Sequence, residues 1–187
     1  IFRVSAKNVA GAGLPSTSTS SVVPRTAPSA AQSVSGVAGN AQVALTWSAP
    51  SSNGGDTVSD YVVQYSSDGT TWTTFTDSVS STASCTVTGL TNGTAYTFRV
   101  AAVNAGGTGS YSVVSAAVTP FTTPDAPTAV AGVTGNAQVA VSWTVPTSNG
   151  GSAIIQYQVS YAPQGTDSYG TWSTATATQS SSTSFTV

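Results

Sequence analysis

The chain has 187 residues, only 5% of them Asp, Glu, Lys or Arg, and a net charge of −2. Its four basic residues, Arg3, Lys7, Arg25 and Arg99, are scattered, so no basic stripe exists to track a phosphate backbone and nucleic-acid binding is excluded. It has no His and one Cys, which excludes Ser–His–Asp and Cys–His catalysis, zinc sites built on His or paired Cys, and an internal disulfide.

Ser and Thr supply 62 residues, and Glu is absent. Val and Thr suit a pleated surface because they branch at Cβ. The long unbranched helix formers are nearly missing, so the composition points to strands. No apolar run approaches the roughly 18 residues of a membrane-spanning helix.

Residues 1–24 open with "FRVSAKNVAGAG" at 2–13, which returns as "FRVAAVNAGGTG" at 98–109. The same 96-residue shift carries Pro24 onto Pro120, Trp47 onto Trp143, and "SNGG" at 52–55 onto 148–151. "GNAQVALTW" at 39–47 becomes "GNAQVAVSW" at 135–143, and 18 of the 36 positions 31–66 are identical across the shift. A repeat of this length defines units. The chain divides into the tail of one unit (1–24), a complete unit (28–120) and most of a third (126–187).

Within 28–120 the elements follow in order. A short strand covers 33–37. "QVALTW" (42–47) alternates Val43, Leu45 and Trp47 on one face, the period of a half-buried strand. "PSSNGG" turns the chain into "YVVQY" (61–65), with Tyr61, Val63 and Tyr65 on one face. A strand at 70–76 follows the "SDGT" turn. "SCTV" pairs Cys85 with Val87; "GLTNGT" leads into "YTFRV" (96–100); "NAGGTGS" leads into a last strand over 110–119. Seven short strands at this spacing predict a two-sheet sandwich. "PFTTPDAP" (120–127) follows, three prolines in eight residues, a short extended link. In the third unit "APQGTDSYGTW" replaces "SSDGTTW" with four extra residues, after which Cys85 aligns with Phe185 and Val87 with Val187.

Trp47, "P..NGG" at 50–55, "Y.V.Y" at 61–65, "GLTNGTAYTFRV" at 89–100 and "N.GG.G..S" ending at Ser112 resemble the fibronectin type III family. The resemblance covers the complete unit and nearly all of both partial ones. It implies an all-β chain of tandem seven-strand immunoglobulin-like sandwiches. Their sheets would be A-B-E and C′-C-F-G. Leu90 and Tyr96 would form a corner in which the phenol bonds backbone across the end of the sandwich. The expected core is Trp47, Tyr61, Tyr65, Leu90, Tyr96 and Phe98, with Trp143, Tyr157 and Tyr161 in the third unit. Burial is preferred for these aromatics over a sugar platform. Trp72 and Trp172, near the C′ edge, are weaker candidates for glycan contact, with packing over the edge strand as the plainer reading.

The six Asp residues, Asp56, Asp60, Asp68, Asp77, Asp125 and Asp167, are largely explained by turns, so no catalytic residue is assigned and no cofactor is expected. Asp125 is considered for calcium at the junction, but calcium takes six or more oxygens and one carboxylate is local; no metal site is assigned. Cys85 reads as a small inward hydrophobe. "NGT" at 92–94 matches a glycan acceptor, yet Asn-Gly also suits the turn there. Arg-Gly-Asp is absent, so integrin binding is not carried over.

Residue 1 aligns with Thr97 in strand F and residue 187 with Val87 in strand E. Either the chain is a window cut from a longer array, the favoured reading, or residues 1–24 of one copy complete 126–187 of the next. The expected partners are neighbouring modules or copies, and possibly glycans or surface proteins. The function expected is a non-catalytic spacer or adhesion array of an extracellular or filamentous protein. The alternatives are a phage or virion appendage and the accessory region of a secreted polysaccharide-degrading enzyme. Ser/Thr richness and near-identical repeats resemble bacterial secreted arrays of this family.

Overall fold

The computed structural model describes residues 1–162, 173–175 and 182–187 and contains no helix among them. Trp172 and Asp167 lie outside the described residues. The strands are β1 (Lys7–Asn8), β2 (Gly11–Ala12), β3 (Gln32–Gly39), β4 (Gln42–Ser48), β5 (Asp60–Ser66), β6 (Thr73–Phe75), β7 (Ser84–Thr88), β8 (Thr97–Asn104) and β9 (Gly107–Thr108). The third unit adds β10 (Thr128–Gly135), β11 (Gln138–Thr144), β12 (Val159–Tyr161), β13 (Ser173–Ala175) and β14 (Ser184–Thr186).

The middle unit is a sandwich of two antiparallel sheets, β3-β4-β7 and β6-β5-β8-β9. The alternation of "QVALTW" faces Val43, Leu45 and Trp47 inward, all buried. From the other sheet come Tyr61, Val63, Phe98 and Val100, also buried. One cluster joins both sheets with Val87, Leu90 and Tyr96. The Trp47 and Tyr61 rings meet edge to face at 5.1 Å, and Tyr65 and Tyr96 at 5.9 Å, the arrangement that ring quadrupoles favour. Tyr65 is only partly buried, packed against the cluster from its rim. The backbone N–H of Thr91 donates to the Tyr96 hydroxyl at 3.2 Å, so the buried phenol has a partner.

The phrase "GNAQ" is a two-residue hairpin turn, closed by Gly39 opposite Gln42. Ala41 sits there at φ 53°, a left-handed conformation that costs a residue with a Cβ about 1–2 kcal/mol. Its N–H donates to Asn92 Oδ1 at 2.8 Å, while Asn92 Nδ2 donates to Asn40 Oδ1. Both polar atoms of Asn92 therefore tie two turns together, and a glycan on Nδ2 would compete with that bond.

The last strand departs from the expected continuous ladder over 110–119. Beyond Gly107–Thr108, the N–H groups of Gly109, Ser112, Ser115 and Val118 donate to the carbonyls of Ala102, Val100, Phe98 and Tyr96. The outer segment thus advances three residues for every two of β8. The skipped acceptors are replaced by hydroxyls: the N–H groups of Val100 and Phe98 donate to Ser112 Oγ and Ser115 Oγ at 3.1 and 3.0 Å. A buried backbone N–H needs a partner, and serine at every third position supplies it.

The third unit forms β10-β11-β14 and the pair β12-β13. Trp143 meets Tyr157 at 5.2 Å, reproducing the Trp47–Tyr61 contact. Tyr157 is buried and Trp143 half-buried, but Tyr161 is 46% exposed rather than in a core. The reason is a cleft of about 470 Å³ between the two sheets, lined by Val139, Val141, Trp143, Tyr157, Val159 and Tyr161 among others. In the middle unit β8 fills the equivalent space.

Candidate functional site at the joints between repeats

Glycine, proline and asparagine meet at one end of the middle sandwich. Gly54 has φ +71°, and a Cβ there would lie 2.1 Å from the Thr26 carbonyl oxygen. A Cβ on Gly106 would come within 2.6 Å of Thr26, and one on Gly109 within 2.3 Å of the Pro28 carbonyl oxygen. The "NGG" and "NAGGTG" glycines are therefore the floor on which the Pro-rich linker lies. Buried Asn104 locks it: Nδ2 donates to the carbonyls of Thr26 (2.9 Å) and Asn53 (2.6 Å), and Oδ1 accepts from Gly106 N–H (2.7 Å). Arg25 and Asp56 add an ion pair at 2.6 Å, half-exposed on the arginine side, a geometry worth at most about 1 kcal/mol.

The second joint repeats the first, bond for bond. Thr26 N–H donates to the Gly54 carbonyl at 2.8 Å, and Thr122 N–H to the Gly150 carbonyl at 2.8 Å. Ser29 N–H bonds the Ser52 carbonyl at 2.9 Å, and Asp125 N–H the Ser148 carbonyl at 3.0 Å. A Cβ on Gly150 would lie 2.2 Å from the Thr122 carbonyl oxygen. The far end of the middle unit closes on this second linker through Gly93 N–H to the Pro120 carbonyl and Phe121 N–H to the Gly39 carbonyl. Gly93 and Gly151 then touch backbone to backbone, so that a Cβ on Gly151 would be 2.4 Å from Gly93 N. Asp125 is occupied within this joint, its Oδ2 accepting from Thr147 Oγ1 at 3.0 Å.

The candidate glycan contact at Trp72 is a packing site. The Arg99 guanidinium lies 4.1 Å from the centroid of its ring and 4.4 Å from that of Tyr111. Gln64 Oε1 accepts from Arg99 Nε and Nη2 at 2.9 and 2.7 Å. One face of the indole is thus covered by a cation held in place by a neighbouring strand. Tyr111 and Gln64 escaped the sequence reading because neither belongs to a motif; only the register of β5 on β8, Gln64 opposite Arg99, reveals them.

Two titratable groups depart from their ordinary values. Asp68 is held well below the usual carboxylate range by the backbone N–H groups of Thr71 and Thr70 and by the Ser66 hydroxyl, which is turn chemistry. Burial pushes the Cys85 thiol up to about 12, helped by the Asp77 carboxylate that accepts its S–H. The reactive thiolate is then scarce at pH 8, and Cys85 should alkylate roughly 10²–10³-fold more slowly in the folded chain than in urea. A mass-spectrometric time course with iodoacetamide checks this; equal rates in both states would refute the assignment.

A family model described as "Fibronectin type III domain" matches residues 26–118. A Kelch domain-containing protein of Saccharolobus solfataricus is 40% identical over 81 residues, 43% of this chain. The chain spans only 11% of that protein's length. Among solved structures, domains A168–A170 of titin are 27% identical with a TM-score of 0.47, covering 50% of this chain and 32% of that one. The FN1–FN3 domains of chicken CNTN1 are 23% identical with a TM-score of 0.46, covering 86% of this chain and 55% of that one. With the sandwich, the tyrosine corner and the glycine-floored joints in place, residues 26–118 are a fibronectin type III domain, and the chain belongs to that family.

Proposed function

We propose that this chain is a non-catalytic spacer within an extracellular or filamentous multidomain protein, its sandwiches set at a repeated angle. A fibronectin type III domain is a structural or adhesion-type module. The observation that supports the finer reading is the joint. Both linkers lie on the same glycine floor and make the same two backbone bonds. A linker bonded at successive residues has little freedom left, whereas unbonded linkers let domains move by default. Arg99 stacked on Trp72 argues against the accessory role in polysaccharide degradation, because a sugar would need the ring face that Arg99 covers. Nitroxide labels on the exposed Thr74 and Thr134 should give one narrow distance distribution in pulsed dipolar spectroscopy, with Cys85 replaced by Ala. A broad distribution would leave the spacer without its rigid joint and overturn the proposal.

A further inference from the structure

Residues 1–24 fold as the closing hairpin of a sandwich, with none of their apolar side chains buried. The N–H groups of Gly13, Ser16 and Thr19 donate to the carbonyls of Ala6, Val4 and Phe2. Those of Val4 and Phe2 donate to Ser16 Oγ and Thr19 Oγ1. Shifted by 96, these are the bonds that β8 makes with Gly109, Ser112 and Ser115. Even the hydroxyl donations agree: Ser16 to Thr17 O and Thr19 to Ser20 O match Ser112 to Val113 O and Ser115 to Ala116 O. The burial does not. Phe98 and Val100 are wholly buried, whereas Phe2 and Val4 are 66% and 74% exposed.

The third unit has the complementary defect. Its cleft is lined by the counterparts of the residues that surround β8 in the middle unit: Val139 for Val43, Trp143 for Trp47, Tyr157 for Tyr61, Val159 for Val63. The lining carries no charged side chain. The free edge of β12 corresponds to the edge of β5 that pairs with β8 over seven residues.

We propose that the hairpin of residues 1–24 from one copy of this chain seats in the cleft of residues 126–187 of a second copy. The register follows from Tyr61, Val63 and Tyr65 opposite Ala102, Val100 and Phe98. It places Ala6, Val4 and Phe2 opposite Tyr157, Val159 and Tyr161. The hairpin is already folded, so little ordering entropy opposes the docking, and added backbone bonds come with apolar burial. One copy cannot satisfy itself. Its hairpin leaves the middle sandwich beside Gly54 and Gly106, while the third unit leaves beside Gly39 and Gly93, at the other ends of β4 and β8. The contact is head-to-tail, and successive copies extend it.

Sedimentation of the 187-residue chain should give a mass that climbs with concentration above 18.5 kDa. Val4→Asp spoils the hairpin and Tyr161→Asp the cleft. Both side chains are exposed in a single copy, so neither change endangers folding. Each variant alone should stay at 18.5 kDa, and an equimolar mixture should stop at a dimer, since each supplies the surface the other lacks. A wild-type chain that stays at 18.5 kDa throughout, or a mixture that does, overturns the inference. The spacer reading survives either result, because this docking depends on the fold alone.

Discussion

Trp47→Ala should lower the stability of the middle sandwich by about 3–5 kcal/mol, a large part of the roughly 5–15 kcal/mol a domain possesses. The indole is buried against both sheets and edge-on to Tyr61. Its Nε1 is buried with no hydrogen-bond partner, so packing supplies its whole contribution and an unpaired donor subtracts from it. Trp47→Phe should therefore cost clearly less than Trp47→Ala. Trp143→Ala should cost less than either, because Trp143 borders an open cleft and is only half-buried. Urea titrations followed by circular dichroism give the three values. A Trp47→Ala loss below about 1 kcal/mol would mean that the core is elsewhere.

Gly54→Ala should destabilise the same domain by about 1–3 kcal/mol and release its linker. Two effects combine: φ +71° disfavours any Cβ, and the new Cβ would meet the Thr26 carbonyl at 2.1 Å. Gly69→Ala separates them. Its φ is +74°, yet nothing lies within 4 Å of its would-be Cβ, so it carries the conformational cost alone. The difference between the two melting curves reports the linker contact. Gly150→Ala, the counterpart in the second joint, should broaden the Thr74–Thr134 distance distribution. Equal effects of Gly54→Ala and Gly69→Ala, with no broadening from Gly150→Ala, would remove the argument that glycines seat the linkers.

Much of the fold was legible in the residues alone. Period-two alternation in "QVALTW" and "YVVQY" identifies the buried face of each strand, because successive side chains point to opposite sides of a sheet. The 96-residue shift locates the units and pairs Trp47 with Trp143. Both signals are local or self-referential, so one chain suffices to read them. The last strand of the sandwich misled the same reasoning. Ser112 and Ser115 look like outward polar positions, yet they stand in for missing carbonyl acceptors.

The joint, the Arg99 stack and the open cleft belong to the tertiary structure. A motif such as "SNGG" announces a turn, but only packing shows that a backbone 28 residues upstream, at Thr26, lies against Gly54. Trp72 reads as an available aromatic until the sheet register sets Arg99 over it. The exposure of Tyr161 turns on which strands face it, and alternation within its own strand cannot tell. The sequence by itself determined which side of each strand is apolar, since that is a property of consecutive residues. What covers that side depends on contacts between distant segments, and these exist only once the chain has folded.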